Sequence, residues 1–181
     1  AQLLMMEIVR VNKKIFVFLF TGFSSLCFAQ HTNVMIGNFN TPEEPAIAID
    51  PKNTNNLVAG ANIDNLYYST DGGATWTPDT LVSSFGVWGD PCIITDTLGN
   101  FYFFHLSNTG GGSGWIDRIV CQKASAPGGA WSNGTYMGLN GTKDQDKEGV
   151  IVDRKTNTIY VTWTEFDLYG SSNSADSSII L

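Results

Sequence analysis

From residue 44 onward the chain carries short runs of apolar residues, many alternating with polar or small ones, separated by turn-forming clusters. Glu44-Pro45-Ala46-Ile47-Ala48-Ile49-Asp50 leads through a turn at Pro51 to Asn56 into Leu57-Val58-Ala59-Gly60. Asp90-Pro91-Cys92-Ile93-Ile94-Thr95-Asp96 leads through Leu98-Gly99-Asn100 into Phe101-Tyr102-Phe103-Phe104. Glu148-Gly149-Val150-Ile151-Val152-Asp153 leads through Arg154 to Asn157 into Thr158-Ile159-Tyr160-Val161-Thr162-Trp163. Each segment predicts a short β-branched strand closed by an Asp, a tight turn and an aromatic or β-branched return strand. Helical spacing explains none of these runs.

The three closing Asp residues lie 46 and 57 positions apart, so the hairpins form a repeat. A second element follows the first two hairpins. Leu66-Tyr67-Tyr68 precedes the turn Ser69-Thr70-Asp71-Gly72-Gly73-Ala74-Thr75-Trp76 and a strand-like Thr80-Leu81-Val82. Arg118-Ile119-Val120-Cys121-Gln122 precedes Ser125-Ala126-Pro127-Gly128-Gly129-Ala130-Trp131 and Thr135-Tyr136-Met137. Four short strands in about 45 to 57 residues is the size of a β-propeller blade. The expected fold is therefore all-β.

The first residues read as an address rather than as structure. Arg10, Lys13 and Lys14 precede an apolar or small run from Ile15 to Phe28, and Cys27 and Ala29 suit cleavage before Gln30. The run is shorter than the roughly 20 residues a spanning helix needs. Residues 1–29 are expected to be a signal peptide, with Ala1 to Leu4 an upstream remnant. The mature chain is then secreted or displayed on a cell surface, with no membrane span. Residues 30–40, through Val34 to Phe39, are assigned as a ring-closing outer strand.

Composition adds exclusions. The chain is 43% hydrophobic, 12% aromatic and 15% charged, with 19 Gly, which excludes disorder and a coiled coil. Loss of Arg10, Lys13, Lys14 and Glu7 with the leader leaves 7 basic and 16 acidic residues, a net charge of −9 against −7 before cleavage. Nucleic acid is not an expected partner of so acidic a surface. Export permits a disulfide, but Cys92 and Cys121 fall on strands not expected to be neighbours, so both are read as buried free thiols.

Ser69-Thr70-Asp71-Gly72-Gly73-Ala74-Thr75-Trp76 resembles the Asp-box, or BNR repeat, S-x-D-x-G-x-T-W of sialidase-like propellers. The resemblance extends over about Thr41 to Leu181. It implies a propeller of four-stranded antiparallel blades, incomplete here: one blade from Thr41 to Phe85, a second from Gly86 to Gly141, and a third beginning near Thr142. Two and a half blades expose a raw apolar face and an unpaired edge, so association is expected where the C-terminal blades are missing. Ser69, Asp71, Gly72, Gly73, Thr75 and Trp76 are implied to hold a turn on the face away from the binding site. The second copy has no such Asp and carries Pro127 where Gly72 aligns.

The same fold implies a rim built from the approaches to the innermost strands and the loops between second and third strands. The approaches are Glu43-Glu44, Trp88-Gly89-Asp90 and Asp144 to Glu148. The loops bring Asn62 and Asp64, His105 with Ser107 and Asn108, and Glu165 with Asp167. Asp64 and Asp90 are the candidate catalytic carboxyls, since glycoside hydrolysis commonly uses two. Trp88, Asp146, Trp163, Glu165 and Asp167 are candidate substrate-binding residues, the two Trp as stacking platforms. The competing reading makes Glu44 and Asp90 hydrogen-bonded supports of strand ends, and His105 a strand residue. The oxygen-rich rim is also a candidate Ca²⁺ site, and no other cofactor is expected.

The implied function of the full-length protein is glycan binding or exo-acting glycoside hydrolysis of the exo-α-sialidase type, on a glycan or glycoconjugate. The alternative is a non-catalytic cell-surface binding or scaffold propeller. One departure bears on the choice. Sialidases hold their substrate's carboxylate with three arginines, whereas the mature chain has only Arg118 and Arg154, and Glu44-Pro45 stands where the first is expected.

Overall fold

The computed structural model describes residues 32–108, 110 and 115–181. The leader expected at 1–29 and most of the Gly110 to Gly114 run lie outside the described residues. Val34–Leu181 form one compact unit. No helix of the described residues is long and apolar enough to cross a membrane.

The unit is all-β. Strands β1 (Ala46–Ile49), β2 (Leu57–Ala61), β3 (Asn65–Ser69) and β4 (Thr77–Thr80) form a four-stranded antiparallel sheet in chain order. Strands β5 (Cys92–Thr95), β6 (Phe101–Leu106), β7 (Ile119–Ala124) and β8 (Thr135–Met137) repeat that order. Strands β9 (Asp144–Asp153), β10 (Thr158–Phe166) and β11 (Ser178–Ile180) form a three-stranded sheet.

Each hairpin closes on its Asp. The Lys52, Leu98 and Lys155 amides donate to Oδ1 of Asp50, Asp96 and Asp153 at 2.8, 2.9 and 2.8 Å. An acidic side chain that accepts from the amide two residues on mimics a backbone turn, and backbone hydrogen bonds such as Asp96 N–H to the Asn100 carbonyl close the same hairpins. This is why the repeat was visible as a spaced row of Asp.

The sheets are stacked through their alternating faces. Ala46, Ala48, Val58, Leu66 and Tyr68 of the first sheet meet Ile93, Phe101 and Phe103 of the second. The opposite face of the second sheet, with Ile94, Tyr102, Phe104, Leu106 and Ile119, meets Val150, Ile159, Val161 and Trp163 of the third. The first contact depends on a missing side chain. A Cβ on Gly60 would stand 2.5 Å from the Phe103 ring. Thr95 Oγ1 adds a cross-sheet hydrogen bond to the Ile49 carbonyl at 2.9 Å.

Three local expectations change. Thr80-Leu81-Val82 is not the fourth strand, which is Thr77–Thr80; Leu81 turns into the core instead, with its amide on the Asp64 carbonyl at 2.9 Å. Residues 32–38 are irregular, with Ile36 packed against Ala59, Ala61 and Tyr67 on the outer face of the first sheet; the last blade that residues 30–40 are expected to join is not among the described sheets. Asp144 to Glu148 are part of β9 rather than a loop, because Asp144, Gln145 and Asp146 pair with Phe166, Glu165 and Thr164 beyond a bulge. Cys92 and Cys121 are free, as expected, but half-buried rather than buried. They are separated by Phe104, which pairs with both.

The outermost faces keep apolar residues in water, Ile47 and Ile49 on the first sheet and Ile151 and Tyr160 on the third, the last two 67% and 59% exposed. Patches of this kind favour association. Sedimentation of the 181-residue chain is expected to show concentration-dependent association, and a monomer at all concentrations would contradict it. Gly60→Val is expected to destabilise the chain by about 1–3 kcal/mol, the usual cost of overpacking, read as a lowered denaturant midpoint.

Candidate functional site

The three sheets begin in the same way. Glu44, Asp90 and Lys147 have φ of 51°, 52° and 43°, and each stands six residues before its closing Asp. A left-handed residue with a side chain costs roughly 1–2 kcal/mol, so its surroundings hold it in place. In β9 this residue forms the bulge, where Lys147 and Glu148 together oppose Trp163. Lys147, not Glu148, is thus the structural counterpart of Glu44 and Asp90. Counting back from the Asp would have found it; matching acidic residues did not.

Asn62 ties the first two of these positions together. Its amide nitrogen donates to Glu44 Oε2 at 3.0 Å, and its Oδ1 accepts from the Asp90 backbone amide at 2.6 Å. Gly89 makes room for this. A Cβ there would lie 2.1 Å from Asn62 Oδ1, and its φ of 92° suits glycine. The Glu44 and Asp90 carboxyls then share a hydrogen bond. Burial, followed by the hydrogen bond and the charge of Glu44, pushes the Asp90 carboxyl up to about 7. The bonds from Asp90 and Asn62 hold Glu44 below its ordinary value. A pair of carboxyls sharing one proton behaves in this way.

Two more carboxyls act on the pair from β9. Asp146 is half-buried and raised by that burial, with Glu44 adding to the rise. Glu148 is 4% exposed, and neither oxygen has a partner beyond its own backbone amide. Burial above all pushes it up to about 8, and Asp90 adds to the rise.

The expected site residues fall into three places. Asp64, Trp88 and Asp90 line one open cleft of about 450 Å³, together with Asn40, Thr41, Glu43, Asn62 and Ile63. Trp88 is 38% exposed and is braced edge-on by Trp115, with ring centroids 4.4 Å apart. Asp146 lies beside the Glu44–Asp90 pair. Trp163, Glu165 and Asp167 go elsewhere. Trp163 packs in the cluster between the second and third sheets, with Nε1 donating to Gln145 Oε1 at 2.8 Å. Glu165 is buried and accepts from Asn140 Nδ2 at 3.1 Å to each oxygen. Asp167 is paired with Lys143 and accepts from the Ser177 amide and hydroxyl, both at 2.8 Å, which holds it down to about 2. All three are held in internal contacts of the third sheet, Trp163 opposite the bulge and Glu165 and Asp167 toward the end of β10. His105 is fully buried in β6.

The Ser69–Trp76 turn lies at the opposite end of β3 from the cleft. Asp71 accepts from the Thr75 hydroxyl at 2.6 Å, the Thr75 amide at 2.9 Å and the Ser69 hydroxyl at 2.8 Å, which hold its carboxyl down to about 2. Gly72 and Gly73 have φ of 74° and 86°, and Trp76 Nε1 donates to the Gly73 carbonyl at 3.1 Å.

Among the described residues no group of three or more His, Cys, Asp or Glu is disposed to hold a metal ion, so the calcium expectation has no such donor set there. No protein-family model and no curated protein matches the chain.

Asp90 and Glu148 bind protons more tightly folded than unfolded, since their native values of about 7 and 8 exceed the ordinary 3.8 and 4.5. Stability is therefore expected to fall as pH rises from about 4 to 8 on their account. Asp90→Asn and Glu148→Gln should each flatten that slope and gain on the parent at pH 8, measured as denaturant midpoints across the range.

Proposed function

We propose that the chain contributes blades to a secreted sialidase-like β-propeller, and that the rim of those blades binds glycans. The observation that carries the reading is the cleft: Asp64, Trp88 and Asp90, from two successive sheets, line one open space of about 450 Å³. Sugars are bound by aromatic faces for their C–H surfaces and by carboxylates and amides for their hydroxyls, and the cleft offers all three. Two four-stranded meanders of identical order, followed by a third sheet and spaced by the same hairpin, support the propeller. The hydrogen-bonded turn at Ser69 to Trp76 supports the Asp-box assignment.

Asp90 is the group suited to acid chemistry in an exo-acting hydrolase. A general acid must still hold its proton near neutral pH, and Asp90 titrates at about 7. Glu43 and Asp64 are the other carboxyls of the cleft, and Asp64 is the one assigned to bind a hydroxyl or to act as the base. A binding propeller without catalysis would use the same cleft with no proton transfer. No arginine lines it, which weighs against a sialic acid carboxylate as the group it holds.

Titration of the chain with a hexoside panel, followed by NMR, tests the reading. Trp88→Ala is expected to weaken saccharide binding about tenfold or more, and Asp64→Asn several-fold. If the full-length protein turns over a glycoside, Asp90→Asn should slow it by about 10²–10⁴, the usual contribution of a general acid. Binding untouched by both Trp88→Ala and Asp64→Asn would remove the cleft from consideration.

A further inference from the structure

We propose that the two outermost sheet faces are the two halves of one contact, so that the third sheet of one copy packs on the first sheet of a second copy, head to tail. The contact stands on the repeat of the sheets and is independent of the saccharide reading.

The closing Asp residues bring the three sheets into register. Ile47, Ile93 and Val150 each stand three residues before their Asp, opposite Ala59, Phe103 and Val161 on the return strand. Ala48, Ile94 and Ile151 each stand two residues before it, opposite Val58, Tyr102 and Tyr160. Strand alternation sends the first set to one face of each sheet and the second set to the other. Both contacts inside the unit then follow one rule. Ile93 and Phe103 of the second sheet cluster with Ala48 and Val58 of the first. Val150 and Val161 of the third cluster with Ile94 and Tyr102 of the second. Among the described sheets one face of each kind is left over. The first sheet keeps the Ile47 and Ala59 face, and the third keeps the Ile151 and Tyr160 face.

Size is reciprocal along this rule. In the first contact Gly60 leaves room for the Phe103 ring. The counterparts of Gly60 are Phe104 and Thr162, and those of Phe103 are Ala59 and Val161. The pairs are thus Gly with Phe, Phe with Val and, between copies, Thr with Ala. Ala59 lines a hollow of about 280 Å³, with Ile47 and Tyr67 beside it and Ile36, Pro42 and Pro45 at its border. Tyr160 is the large exposed side chain of the opposing face. Tyr67 is buried, and its hydroxyl has no hydrogen-bond partner, a costly state for a buried donor. Pairing like faces would not meet these needs. Two third sheets would set Tyr160 against Tyr160, and two first sheets would leave both hollows open.

Unlike faces that fit each other make a heterologous contact, which closes into a ring or runs on as a filament. Two copies bring six sheets, within the roughly four to eight blades of a closed propeller. On the propeller reading above, pairing then stops at the dimer.

Sedimentation equilibrium of the 181-residue chain and of two variants tests the contact. Ile47→Lys alters the first face and Ile151→Lys the third; both positions are exposed, and near-ultraviolet circular dichroism checks the fold. Each variant alone should associate at least about tenfold more weakly than the parent, because it puts a charge into an apolar contact. Mixed one to one, the two should form a heterodimer, since the mixture holds one intact face of each kind. If one variant alone keeps the parent's association, or if mixing restores nothing, the head-to-tail contact is wrong. A second measurement needs no substitution: on dilution of the parent, the Ile47 and Ile151 methyl signals should shift together in NMR spectra. A shift at only one of them, or a parent that is monomeric throughout, would overturn the proposal and leave the propeller reading standing. A ladder of larger species that still obeys the complementation would keep the contact and overturn closure at the dimer.

Discussion

The apolar face of each sheet has to be covered by the next sheet, and the rest of the molecule follows from how closely the two approach. Phe103 reaches the backbone of the first sheet because residue 60 is a glycine. That contact, with Ile93, Phe101, Val58 and Leu66 around it, sets the stagger of the first sheet on the second. Burying a side chain of this size is worth about 1.5–3 kcal/mol. The hydrogen bonds between the sheets, such as Thr95 to the Ile49 carbonyl, are worth about 1 kcal/mol each. Packing sets the arrangement, and the hydrogen bonds fix its register.

The cleft is a consequence of the same stacking. The first strands of the three sheets lie side by side, β1 against β5 and β5 against β9, so their approaches also lie side by side. Each approach turns through a left-handed residue and so presents that side chain at the same end. Two of the three are acids and the third is Lys147, flanked by Asp146 and Glu148. No long-range folding signal is needed to assemble the cluster. It follows from a repeat that sets Glu44, Asp90 and Lys147 at equivalent positions, and Asn62 ties the first two together where Gly89 leaves it room.

The hairpins, the closing Asp residues and the two four-stranded meanders were legible in the sequence because period-two alternation and turn chemistry are local properties. The errors arose where a residue's fate depends on a neighbour. Leu81 reads as a strand residue but is drawn into the core. Trp163 reads as a rim platform but faces the second sheet, since its register on β10 puts it with Ile159 and Val161. Glu165 and Asp167 read as free loop carboxylates but are taken up by Asn140, Lys143 and Ser177. Asp64, Trp88 and Asp90 come together on one cleft because each is held in a short loop next to a strand end. The raised value of Asp90 had no signature in the sequence, because it depends on burial and on the approach of Glu44 from 46 positions away.

Asp71 and Asp90 show how far residue type alone falls short. Both are aspartates next to the end of a short strand, and both are hydrogen-bonded. Asp71 accepts from two hydroxyls and a backbone amide in open water, so every partner favours its charged form and it titrates at about 2. Asp90 is half-buried and its side chain meets another carboxyl, so burial and partner both favour the neutral form and it titrates at about 7. The fixed charge at Asp71 is useful for holding a turn and useless for moving a proton. The movable charge at Asp90 is the reverse, and it faces the cleft. The division of labour between the two ends of these sheets is therefore decided by what surrounds each carboxyl. Replacing Glu44 by a neutral partner would remove the second cause of the raised value and leave burial, the first, in place.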